Sequence, residues 1–122
     1  MTAFPTPRPR EDQALVTVAV TRAADAMGVK AAALARVLGV SAPSVSRMPE
    51  AYQLKQGRKE WELALMFLRV FRSLDAMLGG NRAQMAAWLT AENDHLQGRP
   101  LELIQSIEGI GRVAGYLDAM RG

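Results

Sequence analysis

The chain has 122 residues, of which 49% are hydrophobic and 22% are charged, with a formal net charge of +3. This balance is typical of one globular domain, or of two very small ones, and excludes an intrinsically disordered chain. The absence of cysteine excludes disulfides and thiolate metal sites and fits a reducing compartment. No apolar run approaches the roughly 20 residues that span a bilayer, and the chain does not begin with a secretory signal, so we expect a cytoplasmic protein.

Charge is distributed unevenly along the chain. Residues 1–80 hold 11 basic and 7 acidic side chains, a net charge of +4, whereas residues 81–122 hold 4 basic and 5 acidic side chains, a net charge of −1. This asymmetry favours two surfaces with different partners, one of them suited to a polyanion.

Helical periodicity dominates the sequence, so we predict an all-α fold. The proline-rich residues 1–10 are predicted to form an extended N-terminal arm. Each of the next three helices is followed by a glycine or a proline that ends it. We predict the first helix from Glu11 to Met27 and the second from Lys30 to Leu38. The third is predicted to start after an N-cap at Ser41 and to run to about Met48.

The next helix, predicted from Arg58 to Leu78, is apolar on two roughly opposite sides, which a narrow polar strip around Glu62, Arg69 and Ser73 separates. Because so small a protein cannot bury both sides in one thin layer, we expect this helix to be central and to form a dimer seam. The first apolar side comprises Trp61, Ala64, Leu65, Leu68 and Phe71, and the second comprises Leu63, Met66, Phe67, Val70, Leu74 and Met77.

Three helices are predicted in the last third of the chain. Asn81 and Gln84 have the spacing of a capping box for one of them, and Pro100 occupies a favoured first position of the next. The last helix, Ile107 to Met120, contains three glycines that each cost about 1 kcal/mol relative to alanine. We expect another helix or a partner backbone to approach closely there, the alternative being a strained or frayed helix. The predicted core face is Ile107, Ile110, Val113, Ala114 and Leu117.

Residues that would support catalysis or metal binding are sparse. The only histidine, His95, lies in a polar loop where we expect it to be exposed to solvent. Glu60 and Glu62 diverge on a helix and are predicted to lie on its solvated surface. The glycines of residues 109–115 follow no strand and therefore do not predict a nucleotide loop. We expect no enzyme activity, no cofactor and no metal site.

Residues 32–48 have the pattern of a helix-turn-helix. A small apolar helix leads to Gly39, which can adopt a left-handed turn, and a short hydroxyl-rich helix with one arginine follows. The alternative is a helical hairpin with a polar surface. A recognition helix with so few base-reading side chains implies a dimer if it binds DNA. The predicted DNA contacts are Ser41, Ala42, Ser44 and Arg47 for base edges and Lys55, Arg58 and Lys59 for phosphates.

A series of short motifs occupies the last third of the chain. They are Ala87-Trp88-Leu89, Leu96, Gly98-Arg99-Pro100, Leu103, Glu108-Gly109, Val113 and Tyr116-Leu117. With these motifs, the stretch from Ala83 to Gly122 resembles the C-terminal toxin-binding domain of the Xre/MbcA/ParS antitoxin family. Members of that family typically carry an Xre-like helix-turn-helix in front of this domain, and residues 24–48 fit that module.

The resemblance implies an antitoxin whose partner is a RES-domain toxin, an enzyme that degrades NAD⁺. The C-terminal domain would cover the active site of the toxin, and the helix-turn-helix would repress the shared operon as a homodimer. The motif residues themselves, Trp88 and Pro100 among them, are expected mainly in the core. The toxin contacts expected on the last helix are Arg112, Tyr116, Asp118, Met120, Arg121 and Gly122.

Two other functions fit the same residues. One is a plain transcriptional regulator whose last third is only a dimerisation domain, and the other is an interaction module whose helix-turn-helix binds no DNA. Under the antitoxin interpretation, the predicted units are an arm at residues 1–10, a DNA-binding module at 11–57, a dimerising helix at 58–80 and a toxin-binding domain at 81–122.

Overall fold

The computed structural model describes residues 9–121, which form seven helices and no β-strand. The predicted all-α fold is confirmed, and the predicted helices are all present with ends shifted only within the range over which helix termini fray. The helices are α1 (Pro9–Met27), α2 (Ala31–Leu38), α3 (Ala42–Arg47), α4 (Lys59–Leu78), α5 (Arg82–Thr90), α6 (Pro100–Leu103) and α7 (Ile107–Arg121).

Helix α1 begins inside the stretch that was predicted as an extended arm. Its first residue is Pro9, a residue type that the first helical position favours because the missing N–H would have no partner there. The remainder of the predicted arm, residues 1–8, lies outside the described residues.

Local signals in the sequence account for most helix ends. Gly39 and Gly79 follow α2 and α4 in the left-handed conformation, with φ of 70° and 61°, which costs glycine no steric strain. Ser41 and Asn81 cap the starts of α3 and α5, and each side chain accepts a hydrogen bond from the backbone N–H three residues later. The short turns between helices are therefore encoded locally.

Helix α4 is the central helix, since it packs against α1, α2, α5 and α7. Most of the second of its two predicted apolar sides is buried, and Phe67, Val70 and Leu74 are completely covered, but Met77 at its end is 36% exposed. Each completely covered side chain contributes roughly 1.5–3 kcal/mol through burial. The first side is only partly covered, because 46% of Leu65 is exposed.

The structure corrects two details of the predicted helix faces. Ser73 does not belong to a polar strip on the surface: it is 1% exposed, because Arg121 of α7 packs over it and donates a hydrogen bond to its hydroxyl (3.1 Å). Ile107 does not belong to the core and is 65% exposed, since the buried part of α7 starts only at Gly109.

The glycines of α7 have two different environments. A Cβ atom on Gly109 would lie 1.9 Å from the carbonyl oxygen of Leu103, so the end of α6 approaches the α7 backbone closely. The expected close approach is thus real at this position, and the neighbour is the chain itself. Gly111 and Gly115 face open space within the described part of the chain.

Candidate functional site

The helix-turn-helix is held together by a tight turn and a small apolar interface. The N–H groups of Gly39 and Val40 both bond to the carbonyl of Ala35, at 2.9 and 3.1 Å. Helices α2 and α3 pack against each other, and Ala35 of the first and Val45 of the second are both buried. The second helix therefore has a fixed orientation on the first, as a recognition helix requires.

The four predicted base contacts lie at the N-cap, in the first turn and at the end of α3. Ser41, Ala42 and Arg47 are exposed and Ser44 is half-buried. The hydroxyl groups of Ser41 and Ser44 lie 2.8 Å apart and share a hydrogen bond, so they form one polar unit at the start of the helix. Arg47 lies one helical turn farther on.

Sequence reasoning missed two exposed residues of this module. Ser46 lies on α3 beside Arg47, and Arg36 lies on α2. Because Val45 is the only buried residue of α3, the burial pattern of a one-sided helix could have pointed to Ser46.

The three predicted phosphate contacts lie where the connector joins α4, and all three are exposed. The backbone of this connector is bound to two helices. The N–H of Leu54 donates to the buried hydroxyl of Thr17 (2.9 Å), and the N–H of Gln56 donates to the side-chain oxygen of Gln13 (3.1 Å), both on α1. The N–H of Lys55 donates to the carboxylate of Glu60 on α4 (3.0 Å). The basic residues are thus presented from a fixed backbone.

Glu60 does not lie on the solvated surface that the sequence predicted. It is 8% exposed, and its carboxylate also accepts a hydrogen bond from the hydroxyl of Tyr52, 2.9 Å from either oxygen. Burial raises the pKa of Tyr52 above 10.0, and the hydrogen bond to Glu60 and the charge of Glu60 raise it further, against a lowering effect of Arg58. Glu62, the other member of the pair, is exposed as predicted.

In the C-terminal half, two of the predicted toxin contacts hold the loop between α5 and α6. The guanidinium of Arg112 donates to the carbonyl of Leu96 (2.8 Å). The ring of Tyr116 is a neighbour of both the Trp88 ring and the His95 ring, with centroid distances of 6.5 and 5.8 Å. These aromatic rings and the guanidinium form a mixed surface of the kind that is enriched at protein interfaces.

Trp88 and His95 were not predicted as parts of this surface. Trp88 was expected in the core but is half-buried, and His95 is exposed, as expected for a loop histidine. No sequence pattern predicts that the two rings meet on Tyr116, because the loop that brings His95 to α7 depends on a turn organised by Asn93.

Two other predicted toxin contacts face α4. Asp118 forms an ion pair with Arg69, and Arg121 donates to Ser73. Both residues line an open cleft of about 800 Å³ between α4 and α7. Met120 is 57% exposed, and the predicted contact Gly122 lies outside the described residues.

Two domain families match this chain. Residues 7–69 match the antitoxin Xre-like helix-turn-helix domain, and residues 73–122 match the antitoxin Xre/MbcA/ParS C-terminal toxin-binding domain. The chain is an Xre/MbcA/ParS antitoxin. No curated protein matches it significantly.

Family membership assigns a role to each half of this Xre/MbcA/ParS antitoxin. Its partner is a toxin, which the domain containing α5, α6 and α7 binds, and the helix-turn-helix module in front is a DNA-binding domain. The two matches meet inside α4, so one continuous helix supports both. None of the helices in residues 9–121 is long and apolar enough to cross a membrane.

Proposed function

We propose that this antitoxin neutralises a RES-type toxin that degrades NAD⁺, by covering its active site, and that it represses its own operon as a homodimer in the cytoplasm. The observation that carries the proposal is the presence of both family domains on one chain, each with a candidate contact surface. The RES identity of the toxin rests on the resemblance of the C-terminal motifs.

The proposed toxin contacts are the six residues expected from the sequence, together with the aromatic surface around Tyr116. Met120 and Arg112 are exposed and form the accessible part of this proposed toxin-binding surface. Asp118 and Arg121 form its edge toward α4. A RES toxin binds the pyrophosphate of NAD⁺ and is expected to have a basic pocket, which suits the net charge of −1 on residues 81–122.

The proposed operator contacts are the hydroxyl and arginine side chains of α3 with the basic residues of the connector. Arg47 is suited to a bidentate pair with guanine, and Lys55, Arg58 and Lys59 are suited to phosphates. A six-residue recognition helix reads few bases, so useful affinity requires two half-sites and a dimer.

Co-expression in cells tests the proposal. We expect that induction of the cognate toxin alone depletes intracellular NAD⁺ and stops growth, and that co-expression of this chain restores both. A toxin that leaves NAD⁺ unchanged would exclude the RES assignment, although the chain would still be an antitoxin.

Repression is tested by operator binding at several salt concentrations. We expect the slope of log K against log salt to be several units negative, because each phosphate contact adds about −0.9. A flat dependence would leave a toxin-binding protein that has no role in repression.

A further inference from the structure

The side of α4 that faces away from the core forms an uncovered stripe. Trp61, Leu65, Leu68 and Arg72 follow one another at spacings of four, three and four residues and therefore share one side of the helix. We call these four residues the outer stripe. Trp61 and Leu68 are half-buried, and Leu65 and Arg72 are exposed, so the folded chain covers this side only in part.

Open clefts border the outer stripe on both sides. The cleft toward α7 contains Leu65 and Leu68, and a second cleft of about 610 Å³ toward α1 contains Leu68 and Leu15, which is 69% exposed. The apolar area is thus continuous from α1 across α4. An exposed apolar surface with polar edges on a small protein is typical of a protein–protein interface.

The charges along the stripe indicate which partner fits. Glu62 is exposed beside Trp61 at one end, where its carboxylate lies 3.5 Å from the ammonium of Lys59. Because both side chains of that pair are exposed, it is weak and leaves the carboxylate accessible to a second cation. Arg72 lies at the other end, where no ion pair engages it within residues 9–121. An antiparallel second copy would bring Glu62 near Arg72 at both ends, whereas a parallel copy would place Arg72 against Arg72. Of the other arginines that line the clefts, Arg69 and Arg82 are paired with aspartates and Arg121 donates to Ser73, whereas Arg22 is exposed and has no ion pair within residues 9–121.

We propose that the outer stripe packs antiparallel against the outer stripe of a second copy, about a two-fold axis between Leu65 and Leu68. Leu65 of each copy then contacts Leu68 of the other, and Trp61 of each copy lies over the guanidinium of Arg72 of the other. Arginine stacks well on an indole ring, and the 4-3-4 spacing is that of a helix–helix seam. Such an interface is isologous, because each contact occurs twice.

This inference names the surface of the homodimer and therefore rests on that part of the proposed function. It also gives a second role to α7. Asp118 and Arg121 lie in the cleft beside the outer stripe, so the second copy would cover the edge of the toxin-binding helix. The dimer interface and the toxin-binding surface would then adjoin along one edge of α7.

Analytical ultracentrifugation of the full chain between about 1 and 100 µM tests the inference, since dimer formation depends on concentration. We expect a dimer for the unaltered chain. Leu65→Glu should weaken it by about 100-fold, because it would bury two carboxylates in an apolar seam. Met77→Glu is the matched control: Met77 is also exposed on α4 but lies off the outer stripe, so this variant should remain dimeric.

A charge exchange tests the antiparallel arrangement. Glu62→Arg and Arg72→Glu should each weaken the dimer, and the double variant should recover affinity by about tenfold over either single one. Circular dichroism and thermal unfolding check that each variant folds, as expected for exposed positions.

Two results would overturn the inference, and they can be told apart. A monomer at every concentration would remove the homodimer from the proposed function as well. The homodimer would be kept and this surface rejected by either of two observations. One is a dimer that forms equally well with Leu65→Glu, and the other is a double variant that dimerises more weakly than both single variants. Neither result by itself decides whether the toxin is neutralised, which is measured separately.

Discussion

The two halves of the molecule present their candidate contacts in different ways. In the helix-turn-helix half, buried groups hold the backbone, and the side chains of Arg47, Lys55 and Arg58 form no ion pair within residues 9–121. In the C-terminal half, the candidate contacts themselves hold the fold: Arg112 bonds to the loop and Asp118 pairs with Arg69. Lys59 is the exception in the first half, since it pairs with the exposed carboxylate of Glu62. A partner of the first half therefore meets mostly unpaired cations, whereas a partner of the second half must extend or replace existing bonds.

The difference has a consequence for mutagenesis. Changes to exposed cations of the first half should alter binding and leave stability nearly unchanged. Changes to the contacts of α7 should alter both, so the toxin surface has to be mapped with stability measured alongside.

Gly109→Ala should strongly destabilise the C-terminal half. The added Cβ would meet the Leu103 carbonyl, which is backbone and cannot move aside cheaply, so we expect a loss of about 3 kcal/mol in unfolding free energy. Urea unfolding measures this. Gly111→Ala is the control on the same helix: it meets open space and should stabilise by about 0.5–1 kcal/mol. Equal effects of the two variants would contradict the close approach of α6.

Glu60→Gln should destabilise the connector between the two halves. The amide of glutamine has the size of the carboxylate but one accepting oxygen in place of two, whereas Tyr52 and the Lys55 backbone both donate to this group. We therefore expect the free energy of unfolding to fall by about 1–3 kcal/mol. The unfolding midpoint is compared with that of Glu50→Gln, an exposed glutamate whose replacement should change stability by less than about 0.5 kcal/mol. If Glu50→Gln were the more damaging change, the account of the connector would be wrong.

Arg47→Ala should reduce operator affinity by about 1–3 kcal/mol and relax sequence preference at one base position. Stability should stay the same, because the side chain is exposed. Lys55→Ala is the informative comparison, since loss of a phosphate contact should weaken binding to all sequences alike and make the salt slope about one unit less steep per contact. Fluorescence anisotropy with operator and scrambled DNA distinguishes the two patterns. The assignment of roles fails if the patterns are reversed.

The smallest expected effect is a loss of stability in strong alkali. Because the pKa of Tyr52 is raised, the folded chain holds the phenolic proton more tightly than the unfolded chain. This contribution to stability is fully present below pH 10.0 and is lost as the pH rises through the folded pKa. Unfolding between pH 9 and pH 11 should therefore depend less steeply on pH in Tyr52→Phe than in the unaltered chain. An unchanged dependence would argue against the hydrogen bond between the half-buried Tyr52 and Glu60.

Local signals allowed much of the fold to be predicted. Glycines ended α2 and α4, and Ser41 and Asn81 capped the helices that follow them, because these effects depend on neighbouring residues only. Periodicity also showed that α4 has two apolar sides. It could not decide which side would be buried, since that depends on α1 and α7 packing from distant parts of the chain.

The candidate site was less accessible to sequence reasoning for the same physical reason. The positions of Ser41 and Arg47 follow from one short motif, and both are exposed where the motif placed them. Glu60 could not be recognised as buried, because its partners lie in a connector without periodicity. Likewise, the contact of His95 with Tyr116 joins residues 21 positions apart through an irregular loop.

The most direct test of the central claim is the rate of NAD⁺ hydrolysis by the purified toxin, titrated with this chain at low and high NAD⁺. The account predicts stoichiometric inhibition that weakens as NAD⁺ rises, because antitoxin and substrate would compete for one pocket. It also predicts that Met120→Glu inhibits about tenfold less well while its operator affinity is unchanged. The account would be contradicted by inhibition that does not change with the NAD⁺ concentration, or by a toxin that does not hydrolyse NAD⁺ at all.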